Sequence, residues 1–104
     1  MSVLLELSMF PTHDGESKSK YVAEVIKIIK NSGLDYQLTA MATIIETDDI
    51  SKALALVEKC YRKLEELNCS RVYATLKFDI RMNHNNRLKT KIESVERYIG
   101  EVSK

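Results

Sequence analysis

The chain has 104 residues, the length of one folded domain spanning 1–104 with a single core. Sixteen Lys plus Arg against fifteen Asp plus Glu leave a net charge of +1, without the basic excess that nucleic-acid binding draws on. No stretch approaches the roughly 20 apolar residues of a membrane span, and the opening MSVLLELSMFP carries Glu6 and no basic lead. Two cysteines without a CxxC pair add the expectation of a reduced, cytoplasmic chain.

Residues 2–10 (SVLLELSMF) set Val3, Leu5, Leu7 and Met9 on one face and Leu4, Glu6, Ser8 and Phe10 on the other. They are predicted to form a strand, ended by Pro11. The loop THDGESKS follows, then a helix from about Ser19 to Asn31, with Val22, Val25, Ile26 and Ile29 as its apolar stripe. Asn-Ser-Gly at 31–33 is a helix stop in which Gly33 takes the left-handed conformation. Residues 35–47 (DYQLTAMATIIET) are long for one strand, and Ala40-Met41-Ala42 near the middle are read either as a tight connection or as a bend between two pairing segments.

Asp48 and Asp49 offer N-cap carboxylates to a second helix, whose stripe is Ile50, Ala53, Leu54, Val57, Tyr61 and Leu64. Cys60 falls on this helix as a packing residue. Residues 71–81 (RVYATLKFDIR) alternate strictly and are predicted to be a strand whose apolar face, with Phe78, lies under the helices. Its polar face carries Tyr73, Thr75, Lys77 and Asp79. After the turn MNHNN, Leu88, Ile92, Val95, Ile99 and Val102 mark a C-terminal helix.

This order predicts an α+β, ferredoxin-like βαββαβ sandwich: an antiparallel four-stranded sheet, helices on one face, and an added C-terminal helix. The other face is then bare, too apolar for open water and too polar for a core. A subunit interface with a pocket in it is the expected cover.

Chemistry is sparse. His13 and His84 lie in separate loops without local partner ligands, so no metal site is expected. No glycine-rich phosphate loop, nucleophile motif or cofactor motif is present. Ser17 and Ser19 precede or open a helix, where they serve either as caps or as anion or polar-ligand contacts. Glu46, at a strand end beside Asp48 and Asp49, is either helix-cap charge or a ligand carboxylate. The ladder Tyr73, Lys77, Asp79 serves either subunit ion pairs or a ligand.

The runs MATIIETDDISKALALVEKCYRKL, SRVYATLKFDIRM and LKTKIESVERYI resemble the thiamine-binding-protein family, as do the strand ending in Pro11 and the S-x-S-x-Y-V-A run from Ser17 to Ala23. The resemblance covers nearly the whole chain. It implies the ferredoxin-like fold in a dimer-of-dimers homotetramer with sheets packed face to face. It also implies non-catalytic binding of thiamine or its hydroxymethylpyrimidine moiety, with no cofactor, by Thr43, Glu46, Ser17, Ser19 and the ladder Tyr73, Lys77 and Asp79. Two other readings stand beside it: an interaction module whose sheet face serves only oligomerisation, and a small enzyme using Asp79 or Glu46 as base. Glu46→Gln is expected to weaken ligand binding with fold and tetramer intact.

Overall fold

A computed structural model of the chain describes residues 1–12 and 18–104. The elements run β1 (Ser2–Pro11), α1 (Lys18–Asn31), β2 (Asp35–Leu38), β3 (Thr43–Thr47), α2 (Ile50–Glu66), β4 (Val72–Arg81) and α3 (Arg87–Ile99). The four strands form one antiparallel sheet in the order β2-β3-β1-β4, the ferredoxin-like arrangement expected from the element order. Residues 35–47 do split into two strands. Thr39 closes the turn between them, its N–H and hydroxyl both donating to the Ala42 carbonyl at 2.9 and 2.7 Å.

Local signals act where the sequence puts them. Gly33 sits at φ 81° beyond α1, a conformation that costs a residue without Cβ least. Asp49 caps α2, its carboxylate accepting from the Ser51 N–H at 2.9 Å.

The core lies between the sheet and the α1–α2 pair. Val3, Leu5, Leu7 and Met9 of β1 meet Val25 and Ile29 of α1, Ile45 of β3, and Ala53, Leu56, Cys60 and Leu64 of α2. Burial pushes the Cys60 thiol up to about 11, so it packs as a small apolar group.

Two features depart from the sequence expectation. First, the far face of the sheet is not bare: α3 lies across it, burying Leu4 and Ser2. Second, β4 is an edge strand beyond the cover of α1 and α2. Its pairs Leu5–Phe78, Leu7–Leu76 and Val3–Ile80 put the apolar row on the helix side, as alternation requires. Yet Ala74, Leu76 and Ile80 remain exposed, and Phe78 is only half-buried against the core. Two helices are too narrow to roof four strands.

Phe78→Ala should therefore destabilise by less than the roughly 3–5 kcal/mol of a fully buried phenylalanine. Lys77→Ala, on the other face with its side chain 79% exposed, should stay within about 0.5 kcal/mol. Denaturant unfolding of the two variants checks the register: equal losses would contradict it.

Candidate functional site

Side chains alternate across the sheet, so even-numbered residues of β1 and odd-numbered residues of β4 share the face opposite α1 and α2. That face is built of cross-strand rows. Gln37, Ile44, Glu6 and Lys77 form one; Asp35, Glu46, Leu4 and Asp79 form the next. At the far end Phe10 faces Tyr73, ring centroids 5.8 Å apart, and the Lys18 ammonium stands 5.1 Å from the Phe10 centroid.

Helix α3 is fastened to this face by its first turn. Asn86, in its N-cap position, has a left-handed backbone (φ 54°) and makes no side-chain cap. Glu46 supplies the cap from β3, 41 residues away in sequence. One carboxylate oxygen accepts from the Arg87 N–H at 2.8 Å and from the Ser2 hydroxyl; the other accepts from the Leu88 N–H at 3.1 Å. A carboxylate at a helix N-terminus also meets the positive end of the helix dipole.

Arg87, only 3% exposed, completes the clamp. Its guanidinium donates to the Ser2 hydroxyl and carbonyl, both at 2.9 Å, and pairs with the Asp79 carboxylate at 3.0 Å. Lys91 reaches the same Asp79 oxygen at 3.3 Å.

These contacts set the electrostatics. Burial alone would raise the Glu46 pKa, but the bonds from Ser2 and the two backbone N–H groups, with the Arg87 charge, outweigh it and hold the carboxyl below its ordinary value. Asp79 is likewise held low, chiefly by its hydrogen bonds from Arg87 and Lys91.

Beyond its first turn α3 leaves space against the sheet. On its β4 side lies a cleft of about 360 Å³, with Leu4, Ile44, Leu88 and Ile92 among its apolar lining and Glu6, Gln37, Lys77, Asp79, Arg87 and Lys91 as polar groups. On its β2 side lies one of about 530 Å³, lined among others by Asp35, Gln37, Leu88, Ile92, Glu93 and Glu96. Gln37, Leu88 and Ile92 border both, so the two clefts flank one helix over a shared floor. Volumes of this size, with an apolar floor ringed by polar and charged groups, suit a small organic ligand.

The seven candidate ligand residues do not converge. Thr43 and Glu46 are three apart in one strand and therefore point to opposite faces. Thr43 pairs with Leu7 on the helix side and is buried there beside a pocket of about 180 Å³ that Val22 and Ile26 also line. Ser19 is exposed in the first turn of α1, on that same side. Ser17 lies outside the described residues. Glu46, Lys77 and Asp79 do share the α3 face, but Tyr73 is six residues from Asp79, roughly 20 Å along the strand. Within one chain, only Lys77 and Asp79 line the cleft between α3 and β4.

Sequence reading missed Arg87 and Ser2 altogether, and it did not give Gln37 or Ile44 a role. Glu6 was assigned to the correct face by alternation alone.

A family model described as thiamine-binding protein matches residues 5–96. A UPF0045 protein of Mycobacterium bovis is 34% identical over 99 residues, covering 95% of this chain and 96% of its own. A UPF0045 protein of Methanothermobacter thermautotrophicus is 30% identical, covering 93% and 99%. Among solved structures, a hypothetical protein from Methanocaldococcus jannaschii superposes with a TM-score of 0.79 at 29% identity, over 90% of this chain and 95% of that one. A putative thiamine biosynthesis/salvage protein from Thermotoga maritima superposes with a TM-score of 0.80 over 91% and 99%; its 17% identity speaks to the fold alone.

Proposed function

Since this chain belongs to the family of thiamine-binding proteins, we propose that it is a cytoplasmic, non-catalytic binder of thiamine or its hydroxymethylpyrimidine moiety, held in the clefts beside α3. The observation that carries the proposal is the apolar-floored cleft space between α3 and the sheet, rimmed on one side by Glu6, Gln37, Lys77 and Asp79. A flat pyrimidine fits between Ile44 on the sheet and Leu88 and Ile92 on the helix. Its exocyclic amine suits the Glu6 carboxylate, and its ring nitrogens suit the Gln37 amide.

Glu46 enters as the residue that positions α3 over the cleft, since its carboxylate is already engaged by three donors. The absence of catalysis is supported by the same bonds. A general base works best with a pKa near the operating pH, and both Glu46 and Asp79 are held below the ordinary carboxylate value.

The protein acts as a homotetramer in this proposal. Leu76, Ile80, Val95 and Ile99 are 40%, 48%, 49% and 71% exposed, apolar area that further subunits would cover. Of the described residues, no helix is long and apolar enough to cross a membrane.

Thermal melts test the ligand. A site filled at a hundred times its dissociation constant adds about 2.7 kcal/mol, which for a chain of this size raises the melting temperature by on the order of 10 °C. Thiamine or hydroxymethylpyrimidine should produce such a rise, whereas no shift with either at millimolar concentration would contradict the proposal.

A further inference from the structure

Helix α3 stops short of where its apolar spacing points. Val102 continues the run Leu88, Ile92, Val95 and Ile99, yet the helix ends at Ile99. Gly100 takes φ 85° and ψ −172°, a backbone strained for any residue with a Cβ, while its N–H still donates to the Glu96 carbonyl at 2.7 Å. The chain leaves the helix there, and residues 101–104 turn back onto Glu96.

One Glu96 carboxylate oxygen holds that segment. It accepts from the Val102 N–H at 3.0 Å and from the Lys104 ammonium at 2.7 Å. The Lys104 bond first, and the Val102 bond after it, keep the carboxyl below its ordinary value, so the pair is ionised at neutral pH. Val102 is half-buried, whereas Glu101, Ser103 and Lys104 are exposed.

Lys104 thereby lines the cleft of about 530 Å³ between α3 and β2, whose other charged groups are Asp35, Lys89, Glu93 and Glu96. Among the described residues neither Asp35 nor Glu93 makes an ion pair. A cleft with three carboxylates attracts cations, and this chain brings one of its own into it from beyond the helix.

We propose that residues 100–104 are an autoinhibitory strap, which keeps the Lys104 ammonium in the β2-side cleft as an internal occupant that an entering organic cation must displace. Gly100 is the pivot and Glu96 the catch. The pairing is weak enough to open: with the Lys104 and Glu96 side chains 45% and 19% exposed, an ion pair of this kind favours the closed strap by about fivefold at most. The strap also discriminates by charge. Thiamine carries a permanent thiazolium, which brings positive charge into the cleft but no N–H donor to replace the Lys104 bond. Hydroxymethylpyrimidine is uncharged at mildly alkaline pH and does not compete for the carboxylates. The identity of the entering cation rests on the function proposed above; the docking of the strap does not.

Nuclear magnetic resonance relaxation tests the docking without any ligand, on the nanosecond and faster motions it reports. The backbone amides of residues 101–103 should be about as rigid as α3 in wild type, mobile in Lys104→Ala, and rigid again in Lys104→Arg. Calorimetric titration at pH 8 then tests the gating. Lys104→Ala should bind thiamine about fivefold more tightly than wild type, with hydroxymethylpyrimidine affinity unchanged, and Lys104→Arg should match wild type. Adding thiamine to wild type should mobilise residues 101–103. Equal mobility of that segment in wild type and Lys104→Ala would overturn the strap, as would equal thiamine affinity in the two proteins; both results leave the binding function standing. No binding of either compound to either protein would end that function, and the gating with it.

Discussion

Glu46→Ala should destabilise the protein by about 3–5 kcal/mol, the range for removing one partner of a buried ionic cluster. Glu46 is 7% exposed, and its carboxylate accepts from Ser2, Arg87 and Leu88. Its loss leaves two backbone N–H groups at the start of α3 without a cap and the Arg87 guanidinium with Asp79 as its remaining anion. Glu46→Gln keeps one acceptor and should cost less, but more than nothing. Both should loosen α3, seen as faster amide exchange across Arg87–Ile99 than in α1 or α2.

The pH dependence follows from the same bonds. The folded-state pKa of Glu46 lies below its ordinary value of 4.5, so the carboxylate contributes stability above that value and loses it as the pH falls through the folded one. Wild-type stability should therefore drop more steeply in acid than that of Glu46→Gln. Parallel curves below pH 4.5 would contradict the capping role.

Leu5→Ala should be of similar size, roughly 3–5 kcal/mol, by a different mechanism. Leu5 is fully buried in the second strand from the edge, β1, which pairs with neighbours on both sides, and it packs between the two helices and the sheet. Truncation leaves a cavity that paired strands cannot collapse to fill. The loss should appear as a lowered denaturant midpoint with an unchanged slope, since the surface exposed on unfolding is nearly the same. It should exceed that of Phe78→Ala, which has solvent on one side.

The contrast between Leu5 and Phe78 shows how far the sequence is legible. Strict alternation assigned both to the helix side, and the register agrees. Alternation reports which face a residue is on, and not whether anything covers that face. Cover depends on how far α1 and α2 reach across the sheet, a tertiary quantity. The same limit hid the role of Glu46. A cap supplied by a neighbour in sequence, such as Asp49 for α2, is written locally, whereas one supplied from 41 residues away is not. By contrast, the separation of Thr43 from Glu46 was readable: an odd spacing in a strand forbids one ligand from meeting both across the pleat.

The claim that the space between α3 and the sheet holds the ligand is tested most directly by calorimetric titration of wild type and Ile44→Trp with thiamine and with hydroxymethylpyrimidine. Ile44 lines the cleft, an indole there fills space in the 360 Å³ beneath Leu88 and Ile92, and Ile44 itself makes none of the hydrogen bonds of the Glu46–Arg87 clamp. Wild type should bind at least one of the two compounds, and Ile44→Trp should lose tenfold or more in affinity, about 1.4 kcal/mol, while its melting temperature stays close to that of wild type. Undiminished binding in the variant, or no heat from wild type at millimolar ligand, would contradict it.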